Sequence, residues 1–164
     1  MRFAFAARRQ IGMKILHLYI SPGHNYFGHK GRAPSAHRIN EVPSVRCLAG
    51  RGIEGDRFLD YKDNYKGQIT FFAREIFDEL CGAFGVHARS PDVLRRNVIT
   101  SGADLNALIG KDFELQGVQF RGIEECRPCF WMDGAFHPGA EMWLRGRGGL
   151  RAQIVSDGTL STGS

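Results

Sequence analysis

No stretch of this 164-residue chain approaches the ~20 consecutive apolar residues that a membrane-spanning helix needs, which removes the helical membrane classes. Cysteines are few, four in all. Without a secretory signal beside them they do not make a disulfide scaffold, and a reducing, cytoplasmic setting is expected. Residues 1–12 contain no acid, only Arg2, Arg8 and Arg9, and they also lack the apolar stretch and cleavage site of a signal peptide. Setting them aside leaves 19 basic and 17 acidic groups, so the formal net charge of +5 falls to +2. A general nucleic-acid surface loses its electrostatic basis. These residues are read as an extension outside the fold, and residues 13–164 as one domain.

What the chain does have is glycine, 21 of them, and a run of short strand signals. Lys14 to Ile20 alternates polar and apolar, the period of a half-buried strand. Residues 21–40, with His24, His29 and His37, read as a long loop. Val42 to Leu48 and Gln68 to Phe72 are further strands, and the latter runs into a helix from Ala73 to about Leu80 that stops at Gly82 or Gly85. Ser90-Pro91-Asp92 starts a helix, Arg96 to Thr100 returns to strand, and Asp104 to Ile109 is one helical turn. Gln116-Gly117 and Asp157-Gly158 each signal a hairpin, and Glu141 to Leu144 a short helix. The sum is a mostly β, α+β domain with a few short helices, expected to close or nearly close into a β-barrel.

Chemistry concentrates at Cys126-Arg127-Pro128-Cys129. Thiolate sulfur is soft and nucleophilic, suited to molybdenum, zinc, disulfide exchange or persulfide carriage. Structural zinc needs four ligands, and His137, Cys47 and Cys81 show no paired spacing to complete the set. A thioredoxin-like dithiol expects a long helix at the first cysteine, which Asp133-Gly134 and Pro138-Gly139 interrupt. Two basic stretches, Arg95-Arg96-Asn97 and the Arg145–Arg151 segment with Arg147, offer guanidinium forks and glycine backbone for a phosphate. Asp56 and Arg57 read as a pair that pins a turn. Gln68 and Thr70 share one side of a strand and offer hydrogen bonds to a heterocycle.

The ordered set Gly52-Ile53-Glu54-Gly55-Asp56-Arg57, Gly67-Gln68-Ile69-Thr70, Arg95-Arg96-Asn97-Val98, Gly102-Ala103-Asp104-Leu105, Gly110-Lys111-Asp112-Phe113, Cys126-Arg127-Pro128-Cys129 and Arg147-Gly148-Gly149 resembles the molybdenum-cofactor sulfurase C-terminal (MOSC) domain. The resemblance implies a β-barrel and a pocket for a molybdenum–molybdopterin cofactor. It implies Cys129 as thiolate ligand to the metal, with Cys126 as its neighbour, and Arg96, Asn97 and Arg147 as pterin or phosphate contacts. The pyridoxal-phosphate desulfurase domain of the family's namesakes is not among these 164 residues, and no sulfur-abstracting site of its own is expected of this domain.

Three functions follow in order. The first is a cofactor carrier or small molybdenum-dependent reductase served by an electron-transfer protein. The second is a sulfur carrier that takes persulfide sulfur on Cys129 from a separate cysteine desulfurase. The third is a Cys126–Cys129 redox module. A stand-alone domain of this size is also expected to complete its pocket as a homodimer.

Overall fold

The computed structural model describes residues 12–23 and 38–163. The expected extension therefore lies outside the described residues except for Gly12, and so do the three histidines of the long loop. The first strand, β1 (Lys14–Ile20), is buried at Ile15 and Leu18 in one core and at Tyr19 in another. A spacing of three cannot keep two side chains on one face of a regular strand. A register shift between Ile15 and His17 absorbs the extra residue.

The remaining strands are β2 (Asn40–Glu41), β3 (Ser44–Leu48), β4 (Gly52–Ile53), β5 (Ile69–Ala73), β6 (Val98–Ser101), β7 (Asp112–Leu115), β8 (Val118–Glu125), β9 (Leu150–Ile154) and β10 (Gly158–Ser161). The helices are α1 (Arg74–Phe84), α2 (Trp131–Ala135) and α3 (Ala140–Leu144), with single 3-10 turns at Pro91–Leu94 and Leu105–Leu108. Seven strands form one sheet in the order β2-β1-β6-β5-β9-β8-β7, and three form another, β10-β3-β4. Among the described strands only β5 and β6 run parallel. They are joined through α1, as a parallel pair requires a crossover.

Strand β5 is buried at all five positions because it is covered on both faces. Ile69, Phe71 and Ala73 face the core between the two sheets, where Phe71 packs against Phe113 and Phe120. Phe72 faces a second core made with Phe77 and Leu80 of α1, Leu94, Met132 of α2, and Ala140 and Leu144 of α3. The architecture is thus small sheet, large sheet, helices. None of the helices is long and apolar enough to cross a membrane among the described residues.

Two expectations change. Among the described residues the strand pairing gives two separate sheets, not closed into a barrel by hydrogen bonding. Asp157-Gly158 is no hairpin: β9 pairs with β5 and β8, whereas β10 crosses to β3. Asp157 instead accepts the Ala49 N–H at 2.7 Å. Gly158 lets the chain pass β8, since a Cβ there would stand 2.5 Å from Val118 Cγ2.

Candidate functional site

The helix-side face of the large sheet carries a small cavity of about 210 Å³. Three segments build its base. After β4, the Asp56 carboxylate accepts the N–H groups of Ser21 (3.0 Å) and Phe58 (3.2 Å) and one arm of Arg57 (3.2 Å). Both partners of that ion pair are nearly sealed from solvent, at 0% and 8% side-chain exposure, so each needs the other. The Asp56–Arg57 pin read from the sequence is there. Arg57 also donates to the Arg95 carbonyl (3.2 Å) and lies 4.7 Å over the Phe58 ring.

The second segment follows the Pro91–Leu94 turn. Ser90 does not cap it; its hydroxyl turns to the Asp92 carboxylate. Arg95 closes the turn in the left-handed conformation, φ 57°, and donates to Ser21 Oγ and the Gly23 carbonyl. Burial, then the neighbouring Arg57, pull its pKa down to about 10. Burial lowers that of Arg57 as well, with Asp56 opposing. Arg96 is buried and donates to three carbonyls, those of Leu94 (2.9 Å), Cys126 (3.1 Å) and Gly148 (3.1 Å). Asn97 is equally committed. Its Oδ1 accepts the Thr70 N–H and hydroxyl, and its Nδ2 donates to the Tyr19 carbonyl.

The third segment is the cysteine loop leaving β8. The Cys126 N–H donates to the Gly149 carbonyl at 2.8 Å while its own carbonyl holds Arg96, so this peptide is fixed on both sides. Gly148 has to be glycine, because a Cβ would meet the Cys126 oxygen at 2.3 Å. All four cysteines are free thiols; Cys126 is buried and Cys129 exposed. Arg151 of β9 stands 3.4 Å from Glu124, which Lys66 also holds at 2.9 Å. Burial works against the Arg151 cation, but the Cys126 sulfur, Tyr65 and Glu124 outweigh it and raise its pKa.

The cavity lining therefore contains five arginines (57, 95, 96, 127 and 151), both thiols of the Cys126–Cys129 pair, and the rings of Phe58, Tyr65 and Trp131. No carboxylate is among the described lining residues. Of the residues singled out from sequence, Cys126, Cys129, Arg95, Arg96 and Thr70 meet here. Gln68 does not; it is buried with its Oε1 on the Ile154 N–H. Asn97 sits behind the lining. Arg147 lies over Trp143, 3.9 Å from the ring centroid, and lines a separate, larger cavity of about 420 Å³. No group of three or more potential metal-binding His, Cys, Asp or Glu side chains occurs among the described residues.

Tyr65 and Trp131 were not anticipated, and Arg151 only as the last residue of the basic Arg145–Arg151 stretch. A signal for Arg151 exists: it alternates with Leu150, Ala152 and Ile154, which all face the inter-sheet core, so its side chain must point to the other face. Cross-strand register then sets it opposite Thr70 on one side and Glu124 on the other.

A family model for the MOSC domain matches residues 56–164. Among solved structures, the chain superposes on the YUAD protein from Bacillus subtilis with a TM-score of 0.73 at 19% identity, covering 92% of each chain. YiiM from Geobacillus stearothermophilus gives 0.66 at 13% identity, over 92% of this chain and 72% of that one. YiiM from Escherichia coli gives 0.60 at 17% identity, over 86% and 65%. At such identities the likeness is one of fold. No curated protein sequence matches the chain.

Proposed function

This chain belongs to the MOSC domain family, and from that premise we propose that it binds a molybdenum–molybdopterin cofactor in the arginine-lined cavity, as a carrier or as a small reductase. The observation that carries the reading is the lining itself: guanidinium groups, aromatic rings and two free thiols together, without a carboxylate among the described residues. That donor set fits the ligand's three parts. Arginine forks suit a phosphate, rings suit a flat heterocycle, and thiolate sulfur suits a soft metal. A bound cofactor of this kind supplies two-electron redox chemistry at its metal.

The residues divide the work. Cys129, exposed at the cavity, is the proposed metal ligand, and Cys126 is the buried neighbour whose backbone is fixed by Gly149 and Arg96. Arg127 and Arg151 face the phosphate, while Arg57 stays in its buried pair with Asp56. Arg96 and Asn97 are assigned to the wall rather than to the ligand, because all three Arg96 nitrogens already hold backbone carbonyls and Asn97 lies behind the lining. At about 210 Å³ the cavity is below the ~300 Å³ typical of an enclosed small-molecule site, so it takes the anionic end of the cofactor and leaves the rest against Cys129 and Trp131. A reductase would draw electrons from a partner protein.

The exposure of Cys129 also favours a second reading, sulfur carriage, because an acceptor thiol must reach the persulfide of a donor enzyme. One experiment separates the two. Protein purified from a molybdenum-replete host should contain molybdenum and fluorescent pterin, and Cys129→Ser should lose the metal. Full molybdenum in Cys129→Ser would remove that ligand assignment. No metal, but a one-sulfur mass gain on Cys129 with a desulfurase and cysteine, would establish the carrier instead.

A further inference from the structure

The larger cavity, about 420 Å³, shares no lining residue with the thiol cavity, and its volume falls within the ~300–1,000 Å³ of ordinary small-molecule sites. It opens at the ends of the parallel strands β5 and β6, beside Ala73 and Gly102. Its walls are apolar, from Ala73, Ile76, Ala103 and Leu105. Its charged groups are of both signs. Arg147 rests on the Trp143 ring and makes no hydrogen bond or ion pair through its guanidinium among the described residues. Glu75 and Asp104 each spend one carboxylate oxygen on a backbone N–H, that of Gly102 (2.9 Å) and of Asn106 (3.1 Å), and keep the other.

We infer that this cavity is a second ligand site, and that it takes a small zwitterion with an apolar body: an aliphatic or aromatic α-amino acid. Its carboxylate meets the Arg147 fork, its ammonium meets Glu75 and Asp104, and its side chain packs on the apolar wall. Charge complementarity selects this class. A plain anion would face two carboxylates, a plain cation would face Arg147, and an uncharged molecule would bury charged groups without a partner. The site stands apart from the thiol cavity, so it holds or fails independently of the cofactor reading.

The test is a titration of the full-length ¹⁵N-labelled protein with L-leucine, followed at the amides of Gly102, Ala103 and Gly149 and at the Trp143 indole. Saturable shifts confined to these groups are expected. Arg147→Gln, on an exposed side chain, should leave the melting temperature unchanged and weaken binding about tenfold or more, the loss of one charge-assisted fork. N-acetyl-leucine and leucine amide, each missing one charge, should bind as weakly. Ala103→Leu should close the cavity and abolish the shifts, whereas Cys129→Ser should leave them intact. The proposal is overturned by an absence of saturable shifts with both leucine and phenylalanine, or by equal binding in Arg147→Gln.

Discussion

Arg96 offers the sharpest test of the physical account, because sequence reasoning made it a ligand contact and the structure spends it on the fold. Its guanidinium ties together three segments distant in sequence: the Pro91–Leu94 turn, the cysteine loop and the glycine segment before β9. In Arg96→Met the stem keeps its length and packing, and three carbonyl acceptors lose their donor. Each hydrogen bond from a charged group is worth about 1.5–3 kcal/mol net, which for three independent bonds would reach roughly 5–9. Water entering from the neighbouring cavity replaces part of this, so a loss of about 3–5 kcal/mol is expected. Against a typical domain stability of about 5–15 kcal/mol, that is a large fraction.

Urea unfolding of the cofactor-free protein measures it, with the slope unchanged and the midpoint lowered, or a drop in melting temperature of about 6–20 °C. Arg96→Lys should recover only part, since an ammonium lacks the planar fork. Arg127→Gln, on an exposed side chain, should cost no more than about 0.5 kcal/mol. A loss below about 1 kcal/mol for Arg96→Met in the cofactor-free state would refute the reasoning and return this arginine to the ligand.

Two further outcomes test neighbouring parts of the structure. Gly148→Ala places a Cβ 2.3 Å from the Cys126 oxygen and 2.8 Å from Pro128 Cδ; it should destabilise by about 1–3 kcal/mol and change the alkylation rate at Cys129, whereas Gly82→Ala in α1, with open space around it, should stabilise by about 0.5–1 kcal/mol. Thiol titration should label Cys129 first and Cys47 only on unfolding, since burial pushes the Cys47 thiol up to about 12. An unfolded thiol ionises near ~8.5, so the unfolded chain releases this proton first: the contribution is intact below ~8.5, falls as pH rises toward 12, and should vanish in Cys47→Ala.

Local elements were legible where a local signal decides them. Helix α1 follows from Phe77 and Leu80 at helical spacing and from Gly85, which ends it in the left-handed conformation at φ 64°. The Gln116-Gly117 turn follows because both residues adopt positive φ, 51° and 81°, as a two-residue hairpin demands. Asp157-Gly158 carries a similar signature and does something else. A dipeptide can report that the chain bends, but the strand it pairs with next is settled by which sheet buries Leu160 beside Val45 and Cys47, a matter of long-range packing. Barrel closure was beyond reach for the same reason, being a property of sheet edges and not of any segment.

The site divides along the same line. The motif that marks the cysteines is local, and both thiols line one cavity as its spacing implies. Arginines carry no such mark, since every guanidinium looks alike in a sequence. Which of them are free for a ligand depends on how many acceptors the fold presents to each: three carbonyls surround Arg96, whereas Arg151 meets one carboxylate shared with Lys66. A strand pattern read for its outward positions would have brought Arg151 forward through its register with Thr70. The same reasoning predicts the ranking of variants in this cavity: Arg151→Gln should impair cofactor retention while leaving the cofactor-free protein folded, and Arg96→Met should do the reverse first. If both lose stability equally before any ligand is added, the division between wall and contact drawn from their acceptors does not hold.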